Sequence, residues 1–233
     1  MIFNGTDFTQ FPWMKIEKVY PPETTGLKNR WLTPVEAEAR FAGETIEPYT
    51  RKVDIRLIEK TKEKNFKNRA KLLSLLRTDS VSKLQFDGEF TYERAKLESA
   101  TSNDYMLGTL KIEVIFMCPF GKAFSEAKSI EITSNTEVLS WGFVKTFPKF
   151  TITGYTGDIL INHQTSGKFI SIDTTGKTLP ITVDCWDMTV MTGTDSLRSK
   201  VSFTSDYFSL LPGENVLSYS GGGTCVMEWN DCW

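Results

Sequence analysis

From Val53 to Leu57 the chain alternates, with Val53, Ile55 and Leu57 apolar and Asp54 and Arg56 polar. That period of two is what a strand with one buried face requires. A helical period follows. Phe66, Leu72, Leu73 and Leu76 fall on one stripe, which predicts a helix over Asn65 to Leu76 with Asn65 as its cap and Thr78-Asp79-Ser80 as its stop. Further strands are expected at 83–86, 92–97 and 108–117. The opening residues read as a short strand and then a turn-rich loop through Pro21, Pro22 and Gly26. One helix packed on a sheet is an α+β arrangement.

Beyond Pro119 the pattern changes to short strand-like runs about every ten residues, divided by Gly, Asn, Asp and Ser, as in a β-sandwich or jelly roll. The runs are 151–153, 158–163, 168–173, 181–186, 189–191, 200–203, 216–220 and 224–229. Hairpin turns are expected at Thr165-Ser166-Gly167, at Thr175-Gly176 and at Gly221-Gly222-Gly223, with another turn at Leu211–Asn215. The fold class is therefore mainly β. An N-terminal α+β domain, residues 1–130, precedes an all-β domain, residues 131–233.

Charge supports that division. Residues 1–130 carry a net +3 and residues 131–233 a net −5. Neither value amounts to the concentrated basic face that nucleic acid requires, so no specific nucleic-acid binding is expected. Lys60, Lys62, Lys64, Lys67, Arg69 and Lys71 gather around the helix, and the reading adopted is a solvated face balanced by Glu59 and Glu63. No apolar run approaches the roughly 20 residues that cross a bilayer, and the first residues lack a signal-peptide pattern. Synthesis in a cytoplasm, without membrane insertion, is expected. Cys118, Cys185, Cys225 and Cys232 form no CxxC and read as buried free thiols. A Cys225–Cys232 bridge would need a turn at Asn230-Asp231.

Candidate chemistry is sparse. His163 is the sole histidine, so any Ser-His-Asp or Cys-His nucleophile system would have to use it; it ends a strand before a turn and reads as a structural or surface histidine. One His and scattered Cys do not make a zinc site. Asp173, Asp184, Asp187 and Asp206 could pair as glycosidase carboxylates, but turn Asp residues are common in any sandwich. The triple glycine lacks the Lys-Ser/Thr of a phosphate loop. No catalytic residue, cofactor or metal ligand is assigned, and the chain is not expected to be an enzyme. Trp141, Trp186, Tyr207, Trp229 and Trp233 raise a sugar-stacking question, with core or intersubunit packing the preferred account. Trp186 and Tyr207 are the candidate sugar or partner contacts. Trp229 alternates with Cys225 and Met227 on one buried face.

The order of several segments resembles one family, the distal tail proteins (Dit) of bacteriophages with long non-contractile tails. Met1-Ile2-Phe3-Asn4-Gly5 looks like the family's opening strand, and the strand from Arg51 with the helix to Leu76 resembles its strand-helix pair. Lys83-Leu84-Gln85-Phe86-Asp87 with Tyr92-Glu93-Arg94-Ala95 is similar to its L-x-F-D and Y-x-A segment. Gly108-Thr109-Leu110 through Phe116-Met117-Cys118-Pro119 is similar to its domain-closing strand. Val183-Asp184-Cys185 resembles its I-D-C strand, and Asp206-Tyr207-Phe208 through Pro212-Gly213-Glu214-Asn215 its D-F-F-x-L-x-P-G-x-N turn. The likeness spans nearly the whole chain. One departure follows Cys118-Pro119, where Phe120-Gly121-Lys122-Ala123-Phe124 stands in place of Asp-Pro-Tyr.

The resemblance implies a homohexameric ring in the virion at the tail tip. The first domain would build the ring, joining the tail tube protein to the tail-associated tip protein. A galectin-like second domain would anchor a receptor-binding protein. Arg51, Val53, Ile55, Leu57, Leu110, Ile112 and Val114 are the expected ring-interface residues, on strands whose edges neighbours could pair with. The alternative function is a carbohydrate-binding module contributing to host cell-wall adhesion. No long insertion interrupts the second domain, so an added sugar-binding module is not expected.

Overall fold

In the computed structural model the backbone is described for residues 1–22, 27–32, 40–106, 108–176 and 178–233, and side chains for the same residues except 27–32, 40–44 and 103–106. Gly26 lies outside this set. The chain divides into two units, Met1–Ala123 and Phe124–Trp233. A boundary at 130 would cut the strand Lys128–Ile132, which pairs along its whole length with Thr224–Trp229 and so belongs to the second unit.

The first unit is built on a ladder of three long antiparallel strands. Tyr49–Ile58 pairs residue for residue with Thr109–Cys118, and that strand pairs in turn with Tyr92–Met106. The alternation at 53–57 does what its period demands: Val53, Ile55 and Leu57 are fully buried, as are Val114 and Phe116 opposite. Each such side chain contributes roughly 1.5–3 kcal/mol relative to exposure. The path continues through Ser82–Gln85 to Ile2–Phe3 and Thr6–Asp7 on one side, and ends at Met14–Val19 on the other. Leu27–Leu32 and Arg40–Ile46 form a separate two-stranded hairpin. On the face away from the core, Asp54 lies opposite Glu113, a pairing of like charges that costs stability. Each is given its own partner: the Tyr20 hydroxyl donates to Asp54, and Lys52 pairs with Glu113 at 2.5 Å.

The helix runs Lys62–Leu76 and is capped by Thr61, whose hydroxyl accepts from the Lys64 amide. The sequence expectation starts it at Asn65 because the apolar stripe begins at Phe66. Asn65 instead lies one turn inside and fully buried, its Nδ2 donating to the Gly108 carbonyl at 2.8 Å. Phe66 faces outward at 46 % exposure. The buried stripe is Asn65, Leu72 and Leu76, a spacing of seven and four that keeps one face on the sheet.

The second unit is a sandwich. One sheet has the order Lys128–Ile132, Thr224–Trp229, Lys149–Thr153, Ile181–Asp184, Thr189–Thr192 and Asp195–Ser196; the other has Thr136–Ser140, Gly213–Ser220, Ile159–His163 and Lys168–Ile172. Inward residues of both, among them Phe150, Ile152, Ile161, Ile172, Leu217 and Met227, share one core. Two expected hairpins are crossings between sheets. Ile172 and Ile181 flank Thr175-Gly176 but lie in different sheets, and so do Ser220 and Thr224 on either side of the triple glycine. The triple glycine turns a corner that no other residue would permit. Its three φ angles are +150°, +73° and +66°, and a Cβ on Gly223 would stand 2.1 Å from the Thr153 carbonyl oxygen. The run expected as a strand at 200–203 is a 3₁₀ turn, Arg198–Lys200, followed by a single bridge from Val201 to Ile172.

Candidate functional site

The sole histidine has a structural setting. His163 is fully buried. Asn215 Oδ1 already accepts from the Leu211 amide. His163 Nε2, 3.0 Å away, is therefore the donor to that oxygen, and Nδ1 is left to accept from the Ser166 hydroxyl at 2.7 Å. The ring stacks on Phe208, with centroids 4.9 Å apart. Burial holds its pKa below the usual imidazole value, so the ring is neutral.

Three of the four aspartates hold turns or ion pairs, and Asp187 lies in the turn that Asp184 fixes. Asp184 Oδ1 accepts from the amides of Trp186 and Asp187, fixing a turn. Asp173 takes Lys200 and the Thr175 amide, and Asp206 pairs with Lys168 at 3.8 Å. The Lys200 bond holds Asp173 well below the usual carboxylate range. Cys118, Cys185, Cys225 and Cys232 are all buried and free. Burial pushes the first three thiols up to about 12, so they stay protonated at neutral pH. Among the described residues no three His, Cys, Asp or Glu side chains stand together as a metal cluster would require.

The residues expected at a ring surface lie in the core of the first unit. Val53, Ile55, Leu57 and Val114 are fully buried; Leu110, Ile112 and Arg51 nearly so. Both of their strands are interior, flanked on each side by another strand. Their side chains thus pack inward, into the core of their own unit. Alternating burial on a central strand and on an edge strand have the same period, and this is why sequence alone misplaces them. The exposed edge is Met14–Val19, where Lys15, Glu17 and Lys18 face out and a register shift falls between Ile16 and Lys18. Charges and a bulge of this kind discourage indiscriminate strand pairing.

Arg51 is the centre of a buried ionic cluster. Its Nη1 donates to Glu93 at 2.8 Å and its Nη2 to Glu89 at 2.9 Å, with the guanidinium 4.8 Å from the Phe86 ring centroid. Burial, more than the neighbouring Glu89 charge, pushes Glu93 up to about 7, and Arg51 acts against that rise. A second buried acid, Asp231, accepts from the Trp229 indole and the Ser140 hydroxyl and pairs with Lys128 at 2.5 Å. Neither cluster is marked by a sequence motif.

The second unit displays aromatic side chains. Trp186 is 51 % exposed and meets Phe147 edge-on at 5.1 Å, while Tyr207 is half-buried against the core. Trp141 is also exposed, and Trp229 is buried with Cys225 and Met227.

Residues 141–233 match the family model of the siphovirus-type tail component, C-terminal domain. No curated protein matches the chain. Among solved structures, the Dit protein of phage SPP1, described as a paradigm of the hub adsorption apparatus in phages infecting Gram-positive bacteria, aligns over 100% of this chain and 98% of its own, at TM-score 0.80 and 16% identity. A chain of the phage P2 baseplate in its activated conformation with Ca aligns over 97% of this chain and 92% of its own, at TM-score 0.57 and 10% identity. A chain of the same baseplate with Sr aligns over the same shares at TM-score 0.56 and 10% identity. At these identities the structural likeness establishes a shared fold. Residues 141–233 thus resemble the C-terminal domain of a siphovirus-type tail component, and over its full length the chain shares the fold of the SPP1 Dit protein.

Proposed function

We propose that this chain is a structural subunit of a phage tail tip: a hub that assembles with copies of itself and with neighbouring tail proteins, and performs no chemistry. The observation that carries this reading is the correspondence with the SPP1 hub protein, which aligns over 100% of this chain and 98% of its own. In finer detail, the subunits form a hexameric ring. The first unit joins the tail tube to the tail-associated tip protein, and the second anchors a receptor-binding protein. The protein resides in the virion after synthesis in the host cytoplasm.

Ring closure needs two different faces of each subunit to meet. The buried ladder of Val53, Ile55, Leu57, Leu110, Ile112 and Val114, with Arg51, serves the ring by holding its rim rigid, and the contacts fall on exposed surfaces such as the Met14–Val19 edge. Antibody raised against the chain and imaged on intact particles tests the location: label at the distal end of the tail supports the hub, and label on the capsid or along the tube contradicts it.

The exposed Trp186, braced by Phe147 and by the Asp184 turn, favours a second reading in which this face contacts a cell-wall polysaccharide. Specific glycan binding lost on Trp186→Ala, with the fold intact, would favour it over scaffolding alone.

A further inference from the structure

From Glu137 to Thr146 burial alternates without a break. Val138, Ser140, Gly142, Val144 and Thr146 are buried, while Glu137, Leu139, Trp141, Phe143 and Lys145 are exposed. The outward row therefore reads acidic, three times apolar, then basic. Leu139 is 41 %, Trp141 69 % and Phe143 58 % exposed. Single apolar side chains at a surface are ordinary, but three in consecutive outward places make a patch.

The backbone beneath the row is braced throughout. Thr136–Ser140 pairs along its whole length with Gly213–Ser220 and ends its sheet. Past Ser140 the chain bends at Gly142 and Phe143, packed so closely on the C-terminal segment that a Cβ on Gly142 would stand 2.1 Å from the Cys232 carbonyl oxygen. The Val144 amide donates to that carbonyl at 3.1 Å, and Thr146 and Leu210 exchange backbone bonds at 3.1 and 2.7 Å. Side chains on such a support lose little conformational entropy when they dock.

The order of the row selects the occupant, because reversed end to end it matches itself. About a two-fold axis through Trp141, Glu137 of one copy faces Lys145 of the other, and Leu139 faces Phe143. Self-complementarity of this kind is what an isologous contact requires. The charges are available for it. Among the described residues the ion pairs of the second unit are Lys128–Asp231, Lys168–Asp206 and Lys200–Asp173, which leave Glu137 and Lys145 unspent. Exposed Glu214, opposite Leu139 on the neighbouring strand, adds a second acid at the Glu137 end. A parallel arrangement would set acid against acid and base against base. A polysaccharide or an unrelated protein would call for no such reversal symmetry.

We propose that the outward row from Glu137 to Lys145 is a two-fold contact between the second units of two copies of this chain. Trp141 packs on its equivalent at the axis, Leu139 packs on Phe143, and a Glu137–Lys145 ion pair closes each end. The bend at Gly142 leaves the contact to side chains in place of continuous strand pairing. The inference goes beyond the hub reading and does not rest on it. A ring joins neighbours head to tail, whereas this contact is isologous, so the two copies belong to different rings. The three apolar side chains bury on the order of 300 Å² per copy, below the ~800 Å² per partner of a stable interface. Two single chains thus associate weakly, and rings gain by making several such contacts at once.

Disulfide trapping in the purified full-length chain tests the contact. The four native cysteines are buried, so wild type oxidised with copper phenanthroline gives the background on a non-reducing gel. Trp141→Cys, at the axis, should form linked dimers at least about tenfold above that background. Glu137→Cys mixed with Lys145→Cys keeps all three apolar side chains. The mixture should link at least about tenfold more than either variant alone. Adding Glu137→Lys to Trp141→Cys should lower the dimer yield about threefold, and adding Lys145→Glu as well should restore it. Should Trp141→Cys unfold, the mixed pair decides alone. Three results overturn the proposal: no dimer above wild type in either experiment, Glu137→Cys linking to itself as readily as to Lys145→Cys, or a Trp141→Cys yield indifferent to the charge changes, as unspecific apolar sticking would give.

Discussion

His163 Nε2 donates to Asn215 Oδ1 across 3.0 Å, inside a unit where neither side chain meets solvent. Asn215 also accepts from the Leu211 amide and donates to the carbonyls of Leu211 and Gly213, so one side chain ties a turn to the neighbouring strand. Asn215→Ala removes four hydrogen bonds, among them the buried one to His163, and should cost about 2–4 kcal/mol in denaturant unfolding.

The same pair gives a pH dependence. Burial holds His163 neutral in the folded chain, while the unfolded chain takes up a proton below about 6.5. Stability from this site is present above that pH and is lost as pH falls through it. The thermal midpoint should drop between pH 7.5 and 5.5, and His163→Gln should flatten that part of the drop.

Glu93 works in the opposite sense and in the other unit. Its folded pKa is raised from 4.5 to about 7, chiefly by burial. Its contribution is fully present below about 4.5 and is lost as pH rises through 7, a change on the order of 1–3 kcal/mol. Glu93→Gln keeps an oxygen for Arg51 and cannot ionise. Its stability relative to wild type should improve steadily from pH 5 to pH 8, measured by urea titration at each pH.

Two glycine positions of the second unit, Gly223 and Gly167, separate close approach from backbone preference. At Gly223 an added methyl meets the Thr153 carbonyl oxygen at 2.1 Å, with φ at +66°; at Gly167 φ is +70° and nothing lies within 4 Å. Gly167→Ala should cost about 1–2 kcal/mol. Gly223→Ala should cost about 3 kcal/mol or more, since backbone atoms of a paired strand must move. Equal effects from the two would contradict the corner described for the triple glycine.

Thr61 and Asn65 divide the start of the helix between them. Thr61→Ala removes the cap and should lower stability by about 1 kcal/mol. Asn65→Ala removes a buried bond to the Gly108 carbonyl and should lower it by about 1–3 kcal/mol. Were Asn65 the cap, Thr61→Ala would be silent in chemical denaturation.

Much of the fold could be read from the residues because a single rule decided each element. Val53, Ile55 and Leu57 alternate, Leu72 and Leu76 repeat at helical spacing, and strand and turn residues punctuate the second half. Reading failed where two arrangements share one local pattern. A turn between strands looks the same whether they pair with each other, as at Gly167, or lie in opposite sheets, as at Gly176 and Gly221–Gly223. An apolar face looks the same whether its strand is central or at an edge, and so Val53 and Ile112 were expected at a subunit contact and lie in the core. Phe66 has the helical spacing of a core residue and faces water, because Asn65 takes the buried place to reach Gly108. The Arg51–Glu93 and Lys128–Asp231 pairs join residues 42 and 103 positions apart, and no local motif signals contacts of that span.

Electron-microscopic class averages of the purified full-length chain test self-assembly most directly. The account predicts closed rings with six-fold symmetry. Particles that remain single subunits at high concentration, or that close with another symmetry, would contradict it.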